Sequence, residues 1–124
     1  MELRILLLMD EEAQGHLKAL ERKDGAFAFV GYLGTFKKED IITYLKKNQD
    51  TFDVLAVFSH SDYDDVRLIV EEKYNGPKIL LSSFGFGYNP PQGKYELQIT
   101  IPIEPSKFEE SIRAAFSKII NREG

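Results

Sequence analysis

Apolar residues recur along this chain in two alternating rhythms. Leu3 to Met9, Ala26 to Leu33, Val54 to Phe58, Lys78 to Ser82 and Tyr95 to Pro102 read as strands, and Val54 to Phe58, an unbroken run rich in β-branched and aromatic residues, fits a strand buried on both faces. Between them, apolar positions fall three and four apart. Ala13, Leu17 and Leu20 predict a first helix that Asp24-Gly25 stops. Ile41, Ile42 and Leu45 predict a second over roughly 37–48, with Thr35 placed to cap it. Val66, Ile69, Val70 and Tyr74 predict a third, capped by Asp62 or Asp64 and broken at Asn75-Gly76-Pro77. Phe108, Ile112, Phe116, Ile119 and Ile120 predict a last helix, with Pro105 in its first turn and Ser106 and Glu109 spaced as a capping box.

Five strands alternating with helices imply one α/β domain over residues 1–124: a doubly wound parallel sheet with right-handed crossovers. The expected strand order is 2-1-3-4-5, which puts the first and third strands at the topological switch point. The rhythm lapses once. Residues 83–94, SFGFGYNPPQGK, hold three glycines and two adjacent prolines, so the fourth helix is expected to be missing or replaced by a loop.

Composition narrows the function classes. A net charge of −4, with acids and bases interspersed, opposes nucleic-acid binding, which needs a basic face. With no cysteine, disulfides, thiolate catalysis and zinc–thiolate sites are excluded, and a cytoplasmic setting fits. LRILLLM is too short to span a bilayer and is read as a strand, so no membrane partner is expected.

Candidate chemistry gathers beyond the carboxyl ends of strands one and three. Asp10, Glu11 and Glu12 have the chemistry to hold Mg²⁺, although acids also favour the first turn of a helix. His60 stands near Asp62, Asp64 and Asp65, a combination suited to acid–base work and equally ordinary in an exposed loop. His16 reads as a surface residue of the first helix. A dinucleotide or flavin phosphate would meet acids where it needs a glycine- or hydroxyl-rich loop after strand one, and a cobalamin site would want a histidine where Glu12 stands. No cofactor is expected. Phe84, Phe86 and Tyr88 lie on the Gly/Pro loop, either as an adhesive patch for a partner or folded over sheet left bare by the absent helix.

The ordered segments LRILLLMDEE, FDVLAVF, GPKILLSS and ITIPIEPSKFEESIRAAF together resemble the receiver domain of two-component response regulators, over about residues 3–121. The resemblance places the family's acidic pair at Asp10 and Glu11, or at Met9 and Asp10 with a one-residue shift. It places the phosphoacceptor aspartate at Phe58, the strand-four hydroxyl at Ser82, the strand-five aromatic switch at Gln98, and the phosphoryl-contacting lysine at Ile101, with Pro102 kept. It therefore implies a pseudo-receiver with a degenerate phosphorylation pocket, Asp10, Glu11, Phe58, Ser82 and Ile101, where Phe58 removes nucleophile and metal carboxylate together and Ile101 removes the cation. Apolar groups at both positions exclude water and favour one fixed conformation over a switch. The expected function is non-catalytic signalling by contact with a protein partner or a second copy, through the face of the fourth helix, fifth strand and last helix. The alternative is a small Mg²⁺-dependent or phosphate-handling enzyme using Asp10, Glu11, Ser82 and His60.

Overall fold

The computed structural model describes residues 3–8, 15, 17, 20, 27–32, 37–59, 64–83, 92–101 and 103–120. Five strands, β1 (Leu3–Leu8), β2 (Phe27–Tyr32), β3 (Val54–Ser59), β4 (Lys78–Ser83) and β5 (Leu97–Ile101), form one parallel sheet in the order β2-β1-β3-β4-β5. The expected order therefore holds. Gly15 and Leu17 belong to a first helical segment, most of which lies outside the described residues, and the helices described over their length are α1 (Lys38–Lys47), α2 (Asp64–Lys73), α3 (Pro105–Ala115) and a single turn, α4 (Ser117–Ile120).

Side chains alternate across the pleat, so each strand feeds two cores. One face collects Leu3, Ile5, Leu7, Phe27, Phe29, Val54, Ala56, Ile79, Leu81 and Ile99 under Phe108, Ile112 and Phe116, with Leu17 and Leu20 of the first helical segment beside them. The other face collects Leu6, Leu8, Leu55 and Val57 under Ile41 and Leu45 of α1 and Val66, Ile69 and Val70 of α2. Phe108 anchors α3 over the sheet edge, its ring 5.1 Å from Phe27 and 6.4 Å from Phe29. Full burial of an aromatic of this size is worth about 1.5–3 kcal/mol.

Several local expectations are corrected. The cap of α1 is Lys37, whose side chain makes no capping hydrogen bond, and Thr35 lies outside the described residues. The cap of α3 is Glu104, with Pro105 at the first position and no capping box; Glu109 instead meets Arg113 at 3.2 Å. The last helix breaks at Phe116, whose ring is buried, and α4 continues as one turn. In β2 the register with β1 jumps between Ile5 and Leu6, leaving Val30 as an extra residue, 44% exposed on the edge strand. Between β4 and β5 the described residues include no helix. Positions 92–94 form a turn in which Gly93 takes φ +86°, a conformation that a side chain makes costly, and 84–91 lie outside the described set.

At the amino end of the sheet, Asp53 fixes the entry to β3. Its carboxylate accepts from Arg4 N (2.9 Å), Nε (3.2 Å) and Nη2 (3.0 Å), and its own N–H donates to the Arg4 carbonyl at 2.8 Å. The Asp53 hydrogen bond raises the Arg4 pKa above its ordinary value.

Candidate functional site

The carboxyl ends of β1, β3 and β4 lie side by side, and the register decides which side chains can meet. Phe58 pairs with Leu81, Ser59 with Ser82, Ser82 with Thr100, and Ser83 with Ile101. Because paired residues of parallel strands share a face, Phe58, Leu81 and Ile101 fall on the face under α3, and Ser59, Ser82 and Thr100 on the opposite one. Phe58 and Ile101 are each partly buried and pack against the same apolar cluster. The two positions where the resemblance puts a carboxylate and an ammonium thus carry a phenyl ring and an aliphatic chain within one continuous core.

The register sets Ser82 apart from that pair. Ser82 is buried, its hydroxyl 3.3 Å from that of Thr100 and weakly donated to the Ile99 carbonyl at 3.5 Å. With Ser59, also buried, it forms a row of hydroxyls across three strands. Gln98 is exposed on the outer strand. Asp10, Glu11, His60, Phe84, Phe86, Tyr88 and Pro102 all lie outside the described residues.

The arrangement offers no acceptor for a phosphoryl group at position 58 and no cation for its oxygens at position 101. A phosphoryl transfer needs both functions, because charge developing on three oxygens must be neutralised in place.

Below this edge, a polar bridge joins α2 to the segment leading into β5. Glu71 Oε2 accepts from Arg67 Nη1 at 3.2 Å and from the Tyr95 hydroxyl at 2.8 Å, and the Glu71 carbonyl accepts from Lys94 Nζ at 3.1 Å. Arg67 also reaches Asp64 at 3.4 Å. Arg67 and Glu71 are both buried, so this bridge is a fixed part of the wall between α2 and β5 rather than a solvated ion pair. The i,i+4 spacing of Arg67 and Glu71 was visible in the sequence; the third partner, 24 residues on, was not.

A second polar corner sits at the α2–β4 junction. Lys78 donates its ammonium to the carbonyls of Tyr74 (3.0 Å) and Gly76 (2.9 Å), with the Tyr74 ring 5.3 Å away, and its backbone N–H meets the Glu96 carboxylate. Burial lowers the Lys78 pKa, against the opposing pull of Glu96. Burial, with Glu96 and Asp53 nearby, pushes the Tyr74 hydroxyl up to about 12.

No protein-family model matches the sequence, and no curated protein matches it. Solved structures do. The chain is similar to the signal receiver domain of a modulated diguanylate cyclase from Desulfovibrio desulfuricans G20, at 15% identity and TM-score 0.63, covering 100% of both chains. It is similar to a two component transcriptional regulator AraC from Clostridium phytofermentans ISDg, at 15% identity and TM-score 0.61, covering 98% of each chain. A response regulator receiver domain protein from Clostridium thermocellum matches at 19% identity and TM-score 0.58, over 98% of this chain and 96% of that one. The chain has the fold of response-regulator receiver domains.

Proposed function

We propose that this receiver-fold chain is a pseudo-receiver: a single signalling domain that acts by docking to a protein, without phosphorylation and without catalysis. The observation that carries the reading is the joint placement of Phe58 and Ile101 in one apolar cluster at the carboxyl edge of the sheet. A receiver switches because phosphorylation changes the charge at that edge. Two apolar side chains packed into the core there leave positions 58 and 101 with no group whose charge can change, so on this reading the output surface stays in one state.

The docking surface on this reading is the side of the domain around β5, including Phe84, Phe86 and Tyr88. Two features of β5 fit it. Gln98 and Thr100 are exposed on the face where a covering helix would demand apolar residues, and the Glu71–Tyr95 bridge holds the entry to the strand in place. Aromatics carried on the segment that leads to a firmly held edge strand have the chemistry to meet a protein partner or a second copy. Among the described residues no helix is long and apolar enough to cross a membrane.

Replacing Phe86 and Tyr88 together with Ala tests the surface. Association, read by sedimentation or by binding to a captured partner, is expected to weaken at least tenfold, as for loss of two aromatic anchors, with the melting temperature nearly unchanged. Undiminished association, or loss of the fold, would refute the assignment.

A further inference from the structure

The lower ends of α1 and α2 enclose a cleft of about 370 Å³ lined by Ile42, Leu45, Lys46, Gln49, Lys73 and Tyr74. It lies on the α1–α2 side of the sheet, built from residues that the β5 surface does not use. Its floor is apolar: Leu45 is buried, while Ile42 and Tyr74 are partly buried against the same core. Its rim is cationic, with one exposed lysine from each helix, and Gln49 also lines it. Among the described residues no carboxylate lines it. Glu72, 65% exposed, meets Lys73 at 3.3 Å, a contact that solvent screens to little value, and Glu96 and Asp53 act on Tyr74 from outside the lining.

Lysines in a last turn also complement the helix macrodipole, and that alone explains their placement on α1 and α2. It does not explain an open apolar floor between them. The Tyr74 ring on that floor packs against Phe52 at 6.0 Å and lies 5.3 Å from the Lys78 ammonium. A cleft at the small end of ligand-site volumes, with an apolar base and two cations on opposite walls, suits a small amphipathic anion. A dimple closed by two helix ends is too short to seat an extended peptide face.

We propose that this cleft binds a small organic carboxylate with an aliphatic or aryl body, its carboxylate between Lys46 and Lys73 and its body on Ile42, Leu45 and Tyr74. Octanoate is the probe, with octanol and octylammonium as matched controls, followed by NMR on the isotopically labelled chain. Saturable shifts are expected at Ile42, Leu45 and Tyr74. Octanoate should bind about two- to thirty-fold tighter than octanol, since each of two exposed charge contacts contributes a factor of about 1.5 to 5. The double charge reversal Lys46→Glu/Lys73→Glu should invert the order, so that octylammonium binds better than octanoate, and Lys46→Gln/Lys73→Gln should make octanoate and octanol equal. The assignment is overturned if octanoate gives no saturable shift, if it binds no better than octanol, or if its preference survives the charge reversal. An acidic amphipathic peptide that displaces octanoate and binds more tightly would overturn it too, by showing a protein-docking groove. None of these readings depends on the state of position 58, so the proposal stands or falls separately from the docking function.

Discussion

Substituting Phe58→Asp restores the carboxylate that a receiver would carry, and the structure says what that costs. Phe58 is partly buried in the cluster that also holds Leu81, Ile99 and Ile101. Removing a fully buried phenyl ring costs about 3–5 kcal/mol, so a partly buried one loses about 1.5–2.5 kcal/mol by the same principle. The new carboxyl then faces apolar neighbours and adds about 1–3 kcal/mol for a poorly satisfied polar group. The sum, about 2.5–5.5 kcal/mol, should lower the melting temperature by about 10–25 °C in a chain of this size. The deficit should depend on pH in a definite sense. Burial raises the folded-state pKa of the new carboxyl above its unfolded value of about 3.9. Stability is therefore retained below about pH 4 and lost as pH rises through the folded pKa. Urea melts of wild type and variant at pH 4 and pH 7 read both effects, with Phe58→Leu as the packing control and Phe58→Asp/Ile101→Lys, which supplies a counter-charge, expected to recover part of the loss. The reasoning fails if Phe58→Asp costs less than about 1 kcal/mol at both pH values and Mg²⁺ stabilises the variant saturably. That outcome would place position 58 at the rim of an open acidic pocket.

Other consequences are more local. A Cβ at Gly76 would stand 2.5 Å from the Tyr74 hydroxyl and 2.7 Å from Cζ, so Gly76→Ala should cost about 1–3 kcal/mol in urea; Tyr74→Phe should relieve part of that cost, and additivity of the two would show that the ring is not the obstacle. Because Tyr74 is raised to about 12, its unfolded form ionises first, so this residue's contribution is intact below about pH 10 and disappears between pH 10 and 12. Melts across that window should show the loss in wild type and a shallower slope in Tyr74→Phe, and equal slopes would count against it. Asp53→Asn keeps the shape but weakens three hydrogen bonds from Arg4, and should cost about 1.5–3 kcal/mol by chemical denaturation; a change within experimental error would show that the clamp contributes nothing net.

The fold was legible because burial on both faces writes itself into the sequence. Runs such as VLAVF have no polar residue to spare for solvent, and the helical stripes between them leave few ways to connect parallel strands. Boundaries were less legible. Nothing local in Pro105-Ser-Lys-Phe-Glu distinguishes a capping box from a helix capped at Glu104 and paired from Glu109 to Arg113. The cross-strand neighbours of the site were hidden for another reason. Sequence order puts Ser82 beside the family's other site positions, but the one-residue pleat decides its face, and register is fixed only when β3, β4 and β5 pair. The Arg4–Asp53 clamp and the Glu71–Tyr95 bridge join residues 49 and 24 positions apart, beyond any local pattern. Phe58 and Ile101 were conspicuous because they interrupt a pattern of charged positions, and their common cluster gives that interruption a physical meaning.

The central claim is that the carboxyl edge of this sheet is closed to phosphoryl chemistry. The direct measurement is an NMR titration of the labelled chain with Mg²⁺ and then beryllofluoride, which mimics a phosphoryl group on a carboxylate. The account predicts no saturable response to beryllofluoride at Ser59, Ser82, Ser83 or Ile101, at any Mg²⁺ concentration. Saturable Mg²⁺ shifts at Asp10 and Glu11 that deepen with beryllofluoride and spread into β5 would contradict it.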